Sequence, residues 1–127
     1  MTRITATEHQ EQAALIEWCR LHQSQYPDLR YLYAIPNGGH RRKAVAAKLR
    51  AEGVRAGCPD LCLPCPRGLF HGLYIEMKAR KGRTSAAQLE FLQGLRERGY
   101  CTAVCFGWEV ARTTIENYLM LKGNKNE

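Results

Sequence analysis

Asp60, Glu76 and Lys78 are the residues whose types and spacing can break a phosphodiester bond. All three lie in or beside the stretch GCPDLCLPCPRGLFHGLYIEMK. In an extended "YIEMK", Ile75 and Met77 leave the strand on one face, while Glu76 and Lys78 leave on the other, about 7 Å apart along the chain. Antiparallel pairing with "DLCLP" brings Asp60 next to Glu76. Two converging carboxylates repel each other unless a cation lies between them. Mg²⁺ suits such a place: it accepts one or two carboxylates, keeps several waters and adds phosphate oxygens. It also acidifies water and stabilises charge on a phosphate. Lys78 can orient that water or set a positive charge beside the phosphorus. The competing reading is an exposed cross-strand charge face. Pro27-Asp28 repeats the dipeptide of Pro59-Asp60, but no Glu-x-Lys strand immediately follows it.

A second set of chemistry-bearing residues interleaves with the first. Cys58, Cys62 and Cys65, with Cys101, Cys105 and His71, could be assembled into a zinc site. Only Cys62 to Cys65 has the spacing of a zinc knuckle. Cys101 and Cys105 lie in the apolar run "CTAVCF", where cysteine behaves as a small hydrophobe. Core thiols are the better reading of this set.

These residues need a frame. A first helix is expected from Thr7 to Gln25, capped by Thr5 or Thr7, with Ala14, Leu15, Trp18, Cys19 and Leu21 on its apolar face. Pro27 ends it. "YLYAI" (31–35) reads as a strand stopped by "PNGG". A second helix follows from His40 to Glu52, packing Ala44, Ala47 and Leu49 and closing at Gly53. "DLCLP" and "GLYIEM" form a hairpin, Ser85 opens a third helix closed by Gly99, "YCTAVCF" is a strand and "EVARTTIENYLMLK" a last helix. The expected fold is α/β, a mixed central sheet with helices on both faces.

With 127 residues the chain is expected to form one domain, with a polar 122–127 tail expected to fray. A net charge of +7 points to a polyanion, nucleic acid first. "NGGHRRK" places Asn37, His40, Arg41, Arg42 and Lys43 at a turn into a helix, matched to phosphates. "KARKGR" adds Arg80, Lys81 and Arg83 directly after Lys78. Both segments favour backbone shape over base reading. The N-terminus lacks an apolar signal region and no run reaches membrane-spanning length. The six cysteines then read as reduced thiols of a cytoplasmic protein.

The ordered set "TEHQEQ", "IPNGG", Gly57-Cys58-Pro59-Asp60, Ile75-Glu76-Met77-Lys78, "GRTSAAQ" and "RGY" closely resembles the VRR-NUC family, a branch of the PD-(D/E)xK nucleases. The resemblance covers nearly the whole chain. It implies a restriction-endonuclease-like core of order αβββαβ and cleavage of DNA with Mg²⁺ or Mn²⁺. It further implies action on branched DNA such as Holliday junctions, by a homodimer in the cytoplasm of a bacterium or phage-infected host. Carried over by position, Asp60, Glu76 and the Met77 carbonyl would be metal ligands and Lys78 the catalytic lysine. Glu8 would be the first-helix acid, with Glu11 its competitor, and Gln88 the helix glutamine beside the site. Thr5-Ala6-Thr7-Glu8 and Ser85-Ala86-Ala87-Gln88 are also capping boxes, so Glu8 and Gln88 have a purely structural alternative. Glu8 falls on a line through Gln12, Leu15 and Cys19 and should face inward. The last helix, with Ile115, Tyr118, Leu119 and Leu121, is a candidate dimer surface. A non-catalytic nucleic-acid-binding module of the same fold is the rival function.

Overall fold

Thr7 opens the first helix, α1 (Glu8–Leu21): its hydroxyl accepts from the Gln10 amide while the Gln10 side chain accepts from the Thr7 amide. The computed structural model describes residues 6–36 and 42–122, so Thr5, Asn37, His40 and Arg41 lie outside the described residues. The helix ends earlier than its apolar pattern suggested, with His22 at the C-cap and Leu21 exposed. Pro27 then starts a 3-10 turn, Pro27–Tyr31, that takes Tyr31, the residue expected to begin the first strand. Only Tyr33–Ala34 remain as β1.

Helix α2 (Lys43–Ala51) follows, then strands β2 (Leu61–Leu63) and β3 (Leu73–Lys78). Helix α3 (Ala86–Glu97), strand β4 (Cys101–Phe106) and helix α4 (Trp108–Leu119) complete the order. The sheet runs β1-β2-β3-β4, antiparallel except for the parallel β3–β4 pair. The mixed sheet and the expected hairpin are therefore both present. A parallel pair needs a crossover, and α3 supplies it.

Alternation along β3 sets the layers. Leu73, Ile75 and Met77 point into the main core with Leu15, Trp18, Leu29, Cys105, Ala111 and Ile115, beneath α1 and α4. On the other face α3 lies over β4, where Arg96 donates to the Thr102 hydroxyl at 2.8 Å and 3.1 Å. Ile115 and Tyr118 are inside this core, and the Tyr118 hydroxyl donates to the Cys65 carbonyl at 2.6 Å. They are thereby removed from any dimer surface, whereas Leu121 is exposed.

Helix α2 differs from the others because it buries no residue. Ala44 and Ala47 are exposed and Leu49 is only half-buried, so the expected packing face is not used. Its basic residues outnumber its large apolar ones, which gives the core little to hold.

Candidate active site

The site is assembled where β2 begins and β3 ends. Register pairs Leu61 with Ile75, so Asp60 falls opposite Glu76. The Asp60 amide donates to the Ile75 carbonyl at 3.0 Å, and its carboxylate Oδ2 accepts from the Met77 amide at 2.7 Å. These two bonds fix the Asp60 side chain at the end of the hairpin. Gly57 allows the approach: its φ is +82°, and a Cβ there would lie 2.7 Å from the Ala87 carbonyl oxygen. Only glycine fits both conditions. It seats the Gly57–Asp60 segment against the first turn of α3.

Glu76 and Lys78 are buried, not a wetted charge face; 2 % and 5 % of each is exposed. Lys78 Nζ stands 3.7 Å from Glu76 Oε1 and 3.8 Å from Glu8 Oε1. Burial, then the neighbouring Asp60 carboxylate, pushes the Glu76 carboxyl up to about 8, against the opposing pull of Lys78. Burial and then the same two carboxylates also raise the Cys58 thiol.

The two acids of α1 divide differently from the expectation. Glu8 does not face inward; its side chain is half exposed and reaches over to Lys78. Glu11 is the buried one, and its Oε1 approaches the Trp108 amide at 3.5 Å. Gly107, the N-cap of α4, has no side chain to cap the helix, so Glu11 brings a negative charge to that N-terminus from α1. The signal for this was a helix start, "FGWEVA", with no Ser, Thr, Asp or Asn to cap it.

Gln88 closes the α3 capping box: its Oε1 accepts from the Ser85 amide at 2.9 Å, and the Gln88 amide donates to Ser85 Oγ at 3.1 Å. Its amide nitrogen is the part left for other work. Asp28 of the repeated dipeptide is held 2.6 Å from Arg67, away from the carboxylate pair. Arg42 and Lys43 are exposed at the start of α2; Arg80, Lys81 and Arg83 are exposed on the loop after Lys78.

The donor set fits a hard divalent cation. Glu76 Oε2 is buried with no hydrogen-bond partner, a costly state for a carboxylate oxygen that a cation would relieve. Strand alternation turns the Met77 carbonyl to the same side as the Met77 amide, which faces Asp60. Two carboxylates and a carbonyl are oxygen ligands of the kind Mg²⁺ and Mn²⁺ take. Among the described residues no three His, Cys, Asp or Glu side chains group into a metal site. A centre here would therefore complete its shell from backbone, water and substrate. All six cysteines are free thiols, and Cys105 is fully buried among core residues.

Residues 6–108 match the VRR-NUC domain model. A solved structure described as a "VRR_NUC domain protein" superposes with a TM-score of 0.80 at 30% sequence identity, covering 94% of this chain and 93% of that one. No curated protein gives a significant match. No helix among the described residues is long and apolar enough to cross a membrane. The family match spans the carboxylate pair, Lys78 and the whole sheet, and the chain belongs to the VRR-NUC family of nuclease domains.

Proposed function

We propose that the protein is a Mg²⁺-dependent DNA endonuclease, with Mn²⁺ able to substitute, that hydrolyses phosphodiester bonds in branched DNA such as Holliday junctions. The observation that carries this reading is the unpartnered, buried Glu76 Oε2 opposite Asp60, with Lys78 alongside. Asp60, Glu76 and the Met77 carbonyl would hold the cation. When bound, it supplies charge stabilisation at the phosphate and a more acidic water. Asp60 is oriented for this by the Met77 amide. Lys78 presents its ammonium at the edge of the pair, where it orients the attacking water or balances charge gathering on the phosphorus oxygens. Glu8 holds Lys78 from the solvent side. Gln88 can donate its side-chain amide to the substrate beside the site.

Arg42 and Lys43 at the start of α2, with Arg80, Lys81 and Arg83 after β3, form the phosphate-contacting surface, and Asn37, His40 and Arg41 continue it in sequence. Cutting a junction symmetrically needs two sites, hence a homodimer. Free thiols accord with a reducing cytoplasm. The test is cleavage of labelled four-way junction, flap and linear duplex with Mg²⁺, Mn²⁺ or EDTA, alongside Asp60→Ala and Glu76→Ala. Metal-dependent cutting lost in both variants supports the reading. Binding without cutting under either metal sinks it in favour of a binding module.

A further inference from the structure

An open groove of about 790 Å³ runs between α3 and the segment that joins α2 to β2. Arg50, Arg55 and Arg98 line it, with Glu90 the one acid against these three cations. Its apolar surface includes Phe91 and Leu95. Ala87, which lines the groove, packs on Gly57, three positions before Asp60 in sequence. The groove therefore abuts the segment that carries Asp60. A second observation concerns α2, which contributes Arg50: it is a basic helix with no buried residue, so the protein's own core does not cover it.

We infer that this groove holds an unpaired stretch of the DNA strand next to the scissile phosphate, a reading that rests on the nuclease function proposed above. The arginines match the phosphates, and the half-buried Phe91 ring offers a face on which a base stacks. A duplex backbone would need the cations and leave the apolar floor unused. The sequence displays the cations, but their sharing one groove with Phe91 depends on the fold.

Fluorescence anisotropy on the full chain in EDTA separates this from cleavage, because binding is read without metal. The probes are a labelled oligothymidylate, an abasic strand of equal length and a duplex. The wild type should hold the base-bearing strand more tightly than the abasic one. Phe91→Leu should remove that preference, about 5- to 100-fold. Arg50→Glu combined with Arg55→Glu should weaken both single strands by similar factors. Equal binding of based and abasic strands by the wild type would overturn the inference. So would wild-type affinity in the arginine variant, or tighter binding of duplex than of single strand. Arg50 and Arg55 are exposed, so their variant carries the test even if Phe91→Leu fails to fold. A chain that binds as expected yet cuts no DNA with metal would refute the nuclease function and leave the groove standing; the reverse pattern would refute only the groove.

Discussion

Lys78 Nζ and Glu76 Oε1 lie 3.7 Å apart with their side chains 6% and 2% exposed, yet the second Glu76 oxygen has no hydrogen-bond partner. The lysine therefore answers only part of what burying the carboxylate costs. The remainder is stored as a raised proton affinity, and this has consequences for stability as well as for catalysis.

Folded protein keeps the Glu76 proton up to about pH 8, whereas the ordinary value for the unfolded chain is 4.5. The folded state thus binds more protons between those values, and stability falls with rising pH across that window. The contribution is fully present below pH 4.5 and lost as the pH passes 8. Each tenfold difference in proton affinity is worth about 1.4 kcal/mol. Metal-free wild type should melt progressively lower from pH 5 to 8, by several degrees, and Glu76→Gln should flatten that slope while abolishing cleavage; thermal melts of both proteins across this range check it.

Lys78→Met should lower the cleavage rate by about 10²- to 10³-fold, the range for removing one preorganised charge-stabilising group. Folding should persist, since the substitution keeps the buried apolar stem. Single-turnover cleavage with circular dichroism on the same samples checks both halves. A rate within twofold of wild type would remove Lys78 from the chemistry.

Glu8 and Glu11 should separate by what they change. Glu8→Ala removes a half-exposed partner of Lys78, so cleavage should fall while the melting temperature barely moves. Glu11→Ala takes the charge from the α4 N-terminus and should cost about 1 kcal/mol of stability, with the cleavage rate of the folded protein retained. Paired melting and rate measurements decide, and an inverted result would exchange their assignments.

Gly57→Ala should be much worse than Gly53→Ala, although both glycines have positive φ, +82° and +103°. At Gly53 a Cβ meets nothing within 4 Å, leaving only the backbone cost of about 1–2 kcal/mol. At Gly57 it collides with the Ala87 backbone, which must shift and carry Asp60 with it. Melting temperatures compare the two, and equal losses would mean that the Gly57–Ala87 seat is soft.

Much of this architecture was legible beforehand because local signals agreed with one another. Ser85 with Gln88 marked a helix start, the alternation in "YIEMK" separated core from site, and Pro59-Asp60 ahead of the hairpin placed the acids on facing strands. What could not be read depends on tertiary contacts. Tyr31 looks like strand, yet Pro27 draws it into a 3-10 turn. Leu21 continues an apolar stripe that the core does not reach. Ile115 and Tyr118 have the composition of an interface, but the sheet was already there to cover them. The inward acid of α1 turned on where α4 begins, which no helical periodicity in α1 encodes.

A divalent cation held jointly by Asp60 and Glu76 is tested by the thermal melt at pH 8 with and without Mn²⁺, for wild type, Asp60→Asn and Glu76→Gln. A cation that binds only the folded protein stabilises it by mass action, about 2.7 kcal/mol at a hundredfold excess over the dissociation constant. Mn²⁺ should raise the wild-type melting temperature by several degrees and leave both variants unmoved. An equal rise in all three proteins would place the metal elsewhere and overturn the shared-cation site.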